Sequence, residues 1–140
     1  MFEKIFERLN RRKVNRYANS SKTILIVDDS ELDRQLIKRV IGNQGYKVLL
    51  AKDGQEGLQV ARENKPDLII LDCDMPIMTG NQMCLILKKE EGIKGIPVLF
   101  LTSNDAPKNV IDCYELDAEN YLNKPVQTEL LISQVQSILS

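Results

Sequence analysis

Acidic side chains follow two apolar segments of the sequence, at the point where each segment ends. Asp28 and Asp29 come directly after residues 24–27, and Asp72 follows the uninterrupted aliphatic run of residues 68–71. That run has no polar alternation, which is typical of a strand buried on both faces. A carboxylate that emerges from such a strand loses hydration, and this is unfavourable unless something pairs with it. Asp72 is therefore the first candidate for a reactive residue.

The side chains around this candidate favour phosphoryl chemistry. Crowded carboxylates raise one another's pKa unless a cation lies among them, and an all-oxygen cluster suits Mg²⁺. Lys124 can neutralise one oxygen of a phosphoryl group, and the hydroxyl of Thr102 can donate to another. Asp72 can then attack phosphorus as a carboxylate nucleophile and form an aspartyl phosphate.

Alternating strands and helices must bring these residues together. Apolar segments predict five strands, at residues 23–27, 46–51, 67–72, 96–101 and 120–123. The intervening segments predict helices from Ser30 as N-cap to Gly42, from the Asp53-Gly54 turn to about 64, over about 80–90, from Pro107, and over about 128–139.

Five β–α units with short connections predict an α/β fold, a doubly wound, mostly parallel sheet with helices on both faces. We expect the flavodoxin-like strand order 2-1-3-4-5, whose switch point lies between the first and third strands. Asp28, Asp29 and Asp72 would meet at that point, and Thr102 and Lys124 would reach the same edge.

The composition limits the possible functions. The chain has 140 residues, which is enough for one ordinary domain, and no apolar run approaches the ~20 residues that span a bilayer. It has no histidine, which excludes His-based catalysis, His-ligated zinc and a phosphohistidine on this chain. We expect a cytoplasmic protein, because no secretory signal is recognisable and Cys73, Cys84 and Cys113 look like reduced thiols.

Residues 1–21 are predicted as a basic amphipathic extension, and residues 22–140 as the domain. Phe2, Ile5, Phe6 and Leu9 have helical spacing, and residues 1–22 carry a net charge of +5 against −6 in the rest. Three interpretations stay open: a solvated extension, a helix that docks on a partner or on the domain, and an interfacial helix on anionic lipid. Nucleic-acid binding is disfavoured, since no known DNA-binding motif accompanies the charge.

The motifs at the strand ends resemble those of response-regulator receiver domains over residues 22–140. They are Asp28-Asp29, Asp72-x-x-Met75-Pro76-x-Met78-Thr79-Gly80, Thr102 and Tyr121-x-x-Lys124-Pro125, in the family's order and spacing. The resemblance implies the same flavodoxin-like strand order as the pattern of strands and helices, since a chemotaxis member of that family has this doubly wound fold.

The resemblance implies a role for each matched residue. Asp72 would be the phosphoacceptor, and it and Asp29 would be side-chain ligands of Mg²⁺. Asp28 would act in the acidic pair largely through water, and Asp74 would lend its backbone carbonyl. Thr102 and Tyr121 would form the switch pair, in which the Tyr121 ring turns inward as Thr102 moves to the phosphoryl group. The bond between Lys124 and Pro125 is expected to be cis.

The chain departs from the family pattern beside the acceptor. Ser103 stands where the family often has alanine, and Asp74 and Asn104 occupy two positions that the resemblance ties to phosphoryl lifetime. Asp117 and Gly57 stand where glycine and alanine, respectively, are frequent.

The resemblance also implies partners. A histidine kinase or a histidine phosphotransfer protein would donate the phosphoryl group in a two-component phosphorelay. Since the sequence ends just after the last predicted helix, we expect a stand-alone regulator that acts through an unknown protein target. The fourth helix, fifth strand and fifth helix of the family (its α4-β5-α5 face) are the expected surface for a target or a homodimer.

Other interpretations of the same residues remain. Asp28 and Asp29 can be helix-capping acids, and Tyr121 can be a half-buried strand aromatic. Asp72-Cys73-Asp74 also fits an aspartate-nucleophile magnesium phosphatase, although Asp28 and Asp29 would then have no role. A flavodoxin-like carrier is a further alternative, but this sequence lacks the phosphate loop that such a carrier needs after the first strand. The last alternative is a receiver used only as an unphosphorylated scaffold.

Overall fold

The computed structural model describes residues 18–103 and 120–140. Five parallel strands form one sheet in the order β2-β1-β3-β4-β5, which confirms the predicted fold class and strand order. The strands are β1 (Thr23–Val27), β2 (Lys47–Ala51), β3 (Leu68–Asp72), β4 (Val98–Thr102) and β5 (Asn120–Asn123).

The central strands are buried because their side chains meet a core on each face of the sheet. Every residue of β3 and β4 is buried, as an uninterrupted apolar run predicts. Successive residues of β3 alternate between the two cores: Ile69 and Leu71 lie in one, and Leu68 and Ile70 in the other. This alternation fixes the face of the sheet on which each neighbouring side chain lies.

Helices cover both faces of the sheet in the described part of the chain. They are α1 (Glu31–Asn43), α2 (Gly54–Asn64), α3 (Gly80–Lys89) and α4 (Thr128–Leu139). Buried residues of α2 and α3 lie in the core with Ile69, and those of α1 and α4 lie in the core with Ile70. A doubly wound sheet follows.

Polar N-cap residues begin three of these helices. Ser30, Asp53 and Thr79 each accept a hydrogen bond from a backbone N–H in the first turn of α1, α2 and α3. The capping positions set where the helices start, and the first of them confirms the predicted role of Ser30.

Several sequence predictions differ from the structure or lie beyond it. β4 begins at Val98 rather than Ile96, because Pro97 has no N–H for a ladder. The helix expected from Pro107 and the amphipathic helix expected before Ala18 lie outside the described residues. Across residues 18–103 and 120–140, no helix has the length and apolarity needed to cross a membrane.

Candidate functional site

The parallel register brings the predicted residues to the carboxyl edge of the sheet. Val27 pairs with Leu71 between β1 and β3, so Asp28 and Asp72 extend from neighbouring strands. Thr102 is the last residue of β4, and the backbone N–H of Lys124 donates to its carbonyl oxygen at 2.8 Å. Four strands thus deliver polar side chains to one place.

Three carboxylates cluster at this edge. One oxygen from each of Asp28, Asp29 and Asp72 lies within 4.8 Å of the other two. Asp28 is fully buried and Asp72 is 2% exposed, whereas Asp29 faces solvent. The backbone N–H groups of Ser30 and Asp74 donate to Asp28 and Asp72 at 2.9 and 3.0 Å. The prediction that these acids converge is confirmed.

The ammonium group of Lys124 contacts three of the acids at this edge. Lys124 Nζ donates to Asp28 Oδ2 at 2.9 Å and to Asp33 Oδ2 at 3.0 Å, and it lies 3.4 Å from Asp72 Oδ2. Burial alone would lower the pKa of Lys124. Its hydrogen bonds to Asp28 and Asp33 and the charge of Asp72 outweigh burial and raise that pKa above its usual range.

The acceptor candidate is the most perturbed carboxyl in the described part of the chain. Burial raises the pKa of Asp72 to about 7. The hydrogen bond from Asp74 lowers it and the charge of Asp28 raises it, while the charge of Lys124 lowers it again. Near neutral pH, a further positive charge beside Asp72 would favour its ionised, nucleophilic form.

The donor set fits a magnesium ion. The cluster offers carboxylate oxygens only, two from buried residues and one from an exposed residue. Mg²⁺ prefers such oxygen ligands and retains several water molecules, for which the exposed side of the cluster leaves room. Lys124 supplies one positive charge, and Asp28, Asp33 and Asp72 all contact it. The remaining negative charge is what a divalent cation would offset.

The loop after β3 is fixed tightly against the acceptor. The N–H of Gly80 donates to the carbonyl of Cys73 at 3.2 Å, and a Cβ at Gly80 would overlap the backbone of Asp72 and Cys73. Ile77 has a φ of +69° inside a γ-turn that Met78 N–H closes on Pro76 O at 2.7 Å. Ile77 is 94% exposed, so packing does not offset this strain.

The predicted switch residues lie on adjacent strands. Thr102 is buried at the end of β4, and the half-buried Tyr121 packs against the core that contains Phe100. Phe100 pairs with Tyr121 in the β4–β5 register. The bond between Lys124 and Pro125 is cis, as expected. The structure places the pair but does not test its movement, which stays a prediction.

Two contacts at the site escaped sequence reasoning. Asp33 joins Lys124, although an acid in the first turn of a helix is ordinarily interpreted as a partner of the helix dipole. The side-chain oxygen of Ser103 donates to Asp74 Oδ2 at 2.8 Å, which links the loops after β3 and β4. No local spacing signals the first contact, because Lys124 and Asp33 lie on different elements and 91 positions apart.

Comparisons with known proteins agree with this geometry. The family model described as the response regulator receiver domain matches residues 24–136. Protein PilH of Pseudomonas aeruginosa is 33% identical over 117 residues, which cover 84% of this chain and 97% of PilH. The alkaline phosphatase synthesis transcriptional regulatory protein PhoP of Bacillus subtilis is 35% identical over 119 residues, which cover 85% of this chain and 49% of PhoP.

Solved structures give the same result. The chemotaxis protein CheY4 of Vibrio cholerae superposes with a TM-score of 0.80 at 33% identity, and the match covers 84% of this chain and 98% of that one. A putative response regulator from Chloroflexus aurantiacus has a TM-score of 0.81 at 33% identity, over 84% of this chain and 97% of that one.

Proposed function

Because the chain belongs to the response regulator receiver family, whose members are phosphoacceptor switches, we propose that Asp72 accepts a phosphoryl group from a partner phosphohistidine. The donor is a histidine kinase or a histidine phosphotransfer protein, and the reaction depends on Mg²⁺. One observation carries this proposal: a buried carboxylate at the carboxyl edge lies 3.4 Å from an ammonium and within a cluster of acids that suits a divalent cation.

The residues present divide the work of the transfer. An ionised oxygen of Asp72 forms a bond to phosphorus as the phosphorus–nitrogen bond of the donor breaks, and the electron pair of that bond stays on the imidazole. Lys124 neutralises one phosphoryl oxygen and Thr102 donates to another. Asp28, Asp29, Asp72 and the backbone carbonyl of Asp74 would hold Mg²⁺, which supplies positive charge to the transferred group.

The acyl phosphate is then lost by attack of water on phosphorus. The bond between phosphorus and the Asp72 oxygen breaks, inorganic phosphate leaves with the oxygen of the water, and Asp72 returns to its carboxylate form. The same groups that stabilise charge during transfer act in this step, so the protein catalyses its own phosphorylation and dephosphorylation. It is not a turnover enzyme for a metabolite.

The output is a change in protein–protein contacts. Thr102 moves to the phosphoryl group, Tyr121 turns inward, and the surface around β5 and α4 changes its affinity for a protein target or a second copy. Leu130 of α4 is 45% exposed on that surface and suits such a contact. The proposed regulator acts in the cytoplasm. The matches cover 97% of PilH and 98% of the CheY4 chain, so each of these relatives corresponds to this receiver domain over nearly its whole length.

The basic segment of residues 1–21 serves association rather than chemistry in this proposal. It docks on a partner or on anionic lipid through its apolar positions. Deletion of residues 1–19 leaves phosphorylation unchanged and alters binding to the partner or to vesicles; loss of acceptor activity in the shortened protein would contradict this division.

Intact-mass analysis after incubation with acetyl phosphate tests the acceptor function. The proposal expects one phosphoryl adduct that needs Mg²⁺ and that disappears in Asp72→Asn. Asp67→Asn is the matched control. Asp67 lies directly before β3, at the amino edge of the sheet, whereas Asp72 ends β3 at the carboxyl edge, so the Asp67→Asn variant should still form the adduct.

The alternatives predict different outcomes. Steady release of phosphate from small phosphomonoesters would favour the phosphatase interpretation. If the folded wild-type protein binds Mg²⁺ and forms neither an adduct nor a magnesium-dependent complex with beryllium fluoride, the scaffold interpretation replaces the phosphoacceptor switch.

A further inference from the structure

Lys124 is held by two carboxylates other than the acceptor. An ammonium has three N–H donors, and the two short bonds go to Asp28 Oδ2 at 2.9 Å and Asp33 Oδ2 at 3.0 Å. The contact with Asp72 Oδ2 is the longest of the three, at 3.4 Å. Before any phosphoryl group arrives, the ammonium is therefore bound mainly on the side of β1 and α1.

The two acids that hold Lys124 differ in what else they do. Asp28 is fully buried, accepts a hydrogen bond from Ser30 N–H and belongs to the cluster that suits a metal ion. Asp33 is outside that cluster, and its side chain is 40% exposed in the first turn of α1. Ser30 Oγ caps the backbone N–H of Asp33 at 3.3 Å, so the helix itself fixes the position of this residue.

We propose that Asp33 is a positioning residue that competes with the phosphoryl group for Lys124 and so limits how strongly the site retains that group. This inference rests on the proposed function. A phosphoryl group on Asp72 needs the ammonium, which already makes its two short bonds to Asp28 and Asp33, so the bond to Asp33 draws Lys124 away from that group. The charge of Asp33 also repels the phosphoryl oxygens. Both effects favour the unphosphorylated form.

A phosphoryl mimic measures this competition without any turnover. Calorimetric titration of the full chain with beryllium fluoride at saturating Mg²⁺ gives the affinity of the site for the mimic. Asp33→Asn, which removes the charge and keeps the size, should bind it roughly three- to tenfold more tightly, as expected for loss of one like charge several ångströms away. Asp33→Ala should change the affinity in the same direction.

A matched control separates this role from a general effect of charge. Glu31→Gln removes an exposed acid from the same first turn of α1 and should leave the affinity for beryllium fluoride within about twofold of the wild type. The affinity for Mg²⁺ alone should fall by no more than about threefold in Asp33→Asn, because Asp33 is outside the acidic cluster. A residue that only stabilises α1 would change neither affinity.

The outcomes separate this inference from the function beneath it. Tighter binding in both Asp33 variants, with Glu31→Gln unchanged, supports the competition. Unchanged or weaker binding in the Asp33 variants, with normal binding by the wild type, overturns the inference and leaves the proposed function intact. A wild-type protein that binds Mg²⁺ and never binds the mimic overturns both.

Discussion

The amino and carboxyl edges of the same parallel sheet carry acidic side chains in different ways. At the amino edge, Asp67 is half-buried and its carboxylate accepts a 2.7 Å hydrogen bond from the backbone N–H of Thr23. At the carboxyl edge, Asp28 and Asp72 are buried and share the ammonium of Lys124.

The two edges differ in whether the chain itself supplies partners for their polar groups. Asp67 and Thr23 also form a second hydrogen bond, from Asp67 N–H to Thr23 O at 2.8 Å. At the amino edge, the carboxylate of Asp67 therefore has its hydrogen-bond partner within the chain. The carboxyl edge retains negative charge that Lys124 does not neutralise, and this raises the free energy of the folded protein. We infer that the amino edge serves stability, whereas the carboxyl edge depends on ions, on pH and on the group that binds there.

The largest expected effect comes from the tightest backbone approach at the carboxyl edge. Gly80→Ala places a Cβ 2.9 Å from the Cα of Cys73 and against the carbonyl of Asp72, so the loop must move. We expect a loss of roughly 2–4 kcal/mol in the free energy of unfolding, measured by urea denaturation, together with loss of the phosphoryl adduct.

Gly42 provides the control for this substitution. An added Cβ at Gly42, within α1, would meet nothing within 4 Å, so Gly42→Ala should stabilise the protein by about 0.5–1 kcal/mol. Equal stability of the two variants would contradict the view that the loop is pressed against the acceptor.

The next effect depends on pH. The pKa of Asp72 is about 7 in the folded protein and 3.8 is its ordinary value, so the folded state binds this proton more tightly. The resulting stabilisation is fully present below pH 3.8 and is lost as the pH rises through 7. At pH 8 without Mg²⁺, Asp72→Asn should therefore melt roughly 3–8 °C above the wild type, and at pH 5 the difference should shrink.

The absence of histidine makes this measurement specific for Asp72. Because the chain contains none, no unperturbed side chain titrates in the same interval. Added Mg²⁺ should raise the Tm of the wild type at pH 8 and have less effect on Asp72→Asn, because the variant lacks one carboxylate of the cluster. Identical Tm values for the two proteins at pH 8 without Mg²⁺ would refute the assignment.

A smaller effect is expected at the amino edge. Asp67→Ala removes the acceptor for Thr23 N–H and should lower the free energy of unfolding by about 1–2 kcal/mol. The rise in Tm on addition of Mg²⁺ should equal that of the wild type, as thermal unfolding with and without the ion would show. A reduced response to Mg²⁺ would mean that the two edges are coupled.

The smallest effect tests local strain. Ile77→Gly should raise the free energy of unfolding by up to about 1 kcal/mol, because glycine adopts a φ of +69° readily and the isoleucine side chain packs little in its exposed position. Chemical denaturation measures this difference. Destabilisation would show that Ile77 makes a compensating contact.

Sequence alone predicted the sheet and the acids because both depend on local patterns. The apolar runs indicated the five strands, and the alternation of strands and helices indicated their order. Asp28, Asp29 and Asp72 stand where two of these runs end, so they were found before their contacts were known. The predicted N-cap at Ser30 is confirmed for the same reason.

The features that the sequence did not predict arise from how separate parts of the chain meet in the fold. The bond from Lys124 to Asp33 joins residues 91 positions apart, and a first-turn acid has a sufficient local explanation in the helix dipole. The left-handed φ of Ile77 contradicts the preference of a β-branched residue and accompanies the γ-turn that the Met78 N–H closes on Pro76 O. The link between Ser103 and Asp74 depends on how two loops meet.

The most direct test of the central claim locates the phosphoryl group on the chain. Borohydride reduces an aspartyl phosphate to homoserine with release of phosphate, and peptide mapping by mass spectrometry then identifies the modified residue. After reaction with acetyl phosphate and Mg²⁺, homoserine should appear at position 72 and be absent when Mg²⁺ is chelated. Homoserine at Asp28, Asp29 or Asp74 with Asp72 unmodified would contradict the assignment of Asp72 as the phosphoacceptor.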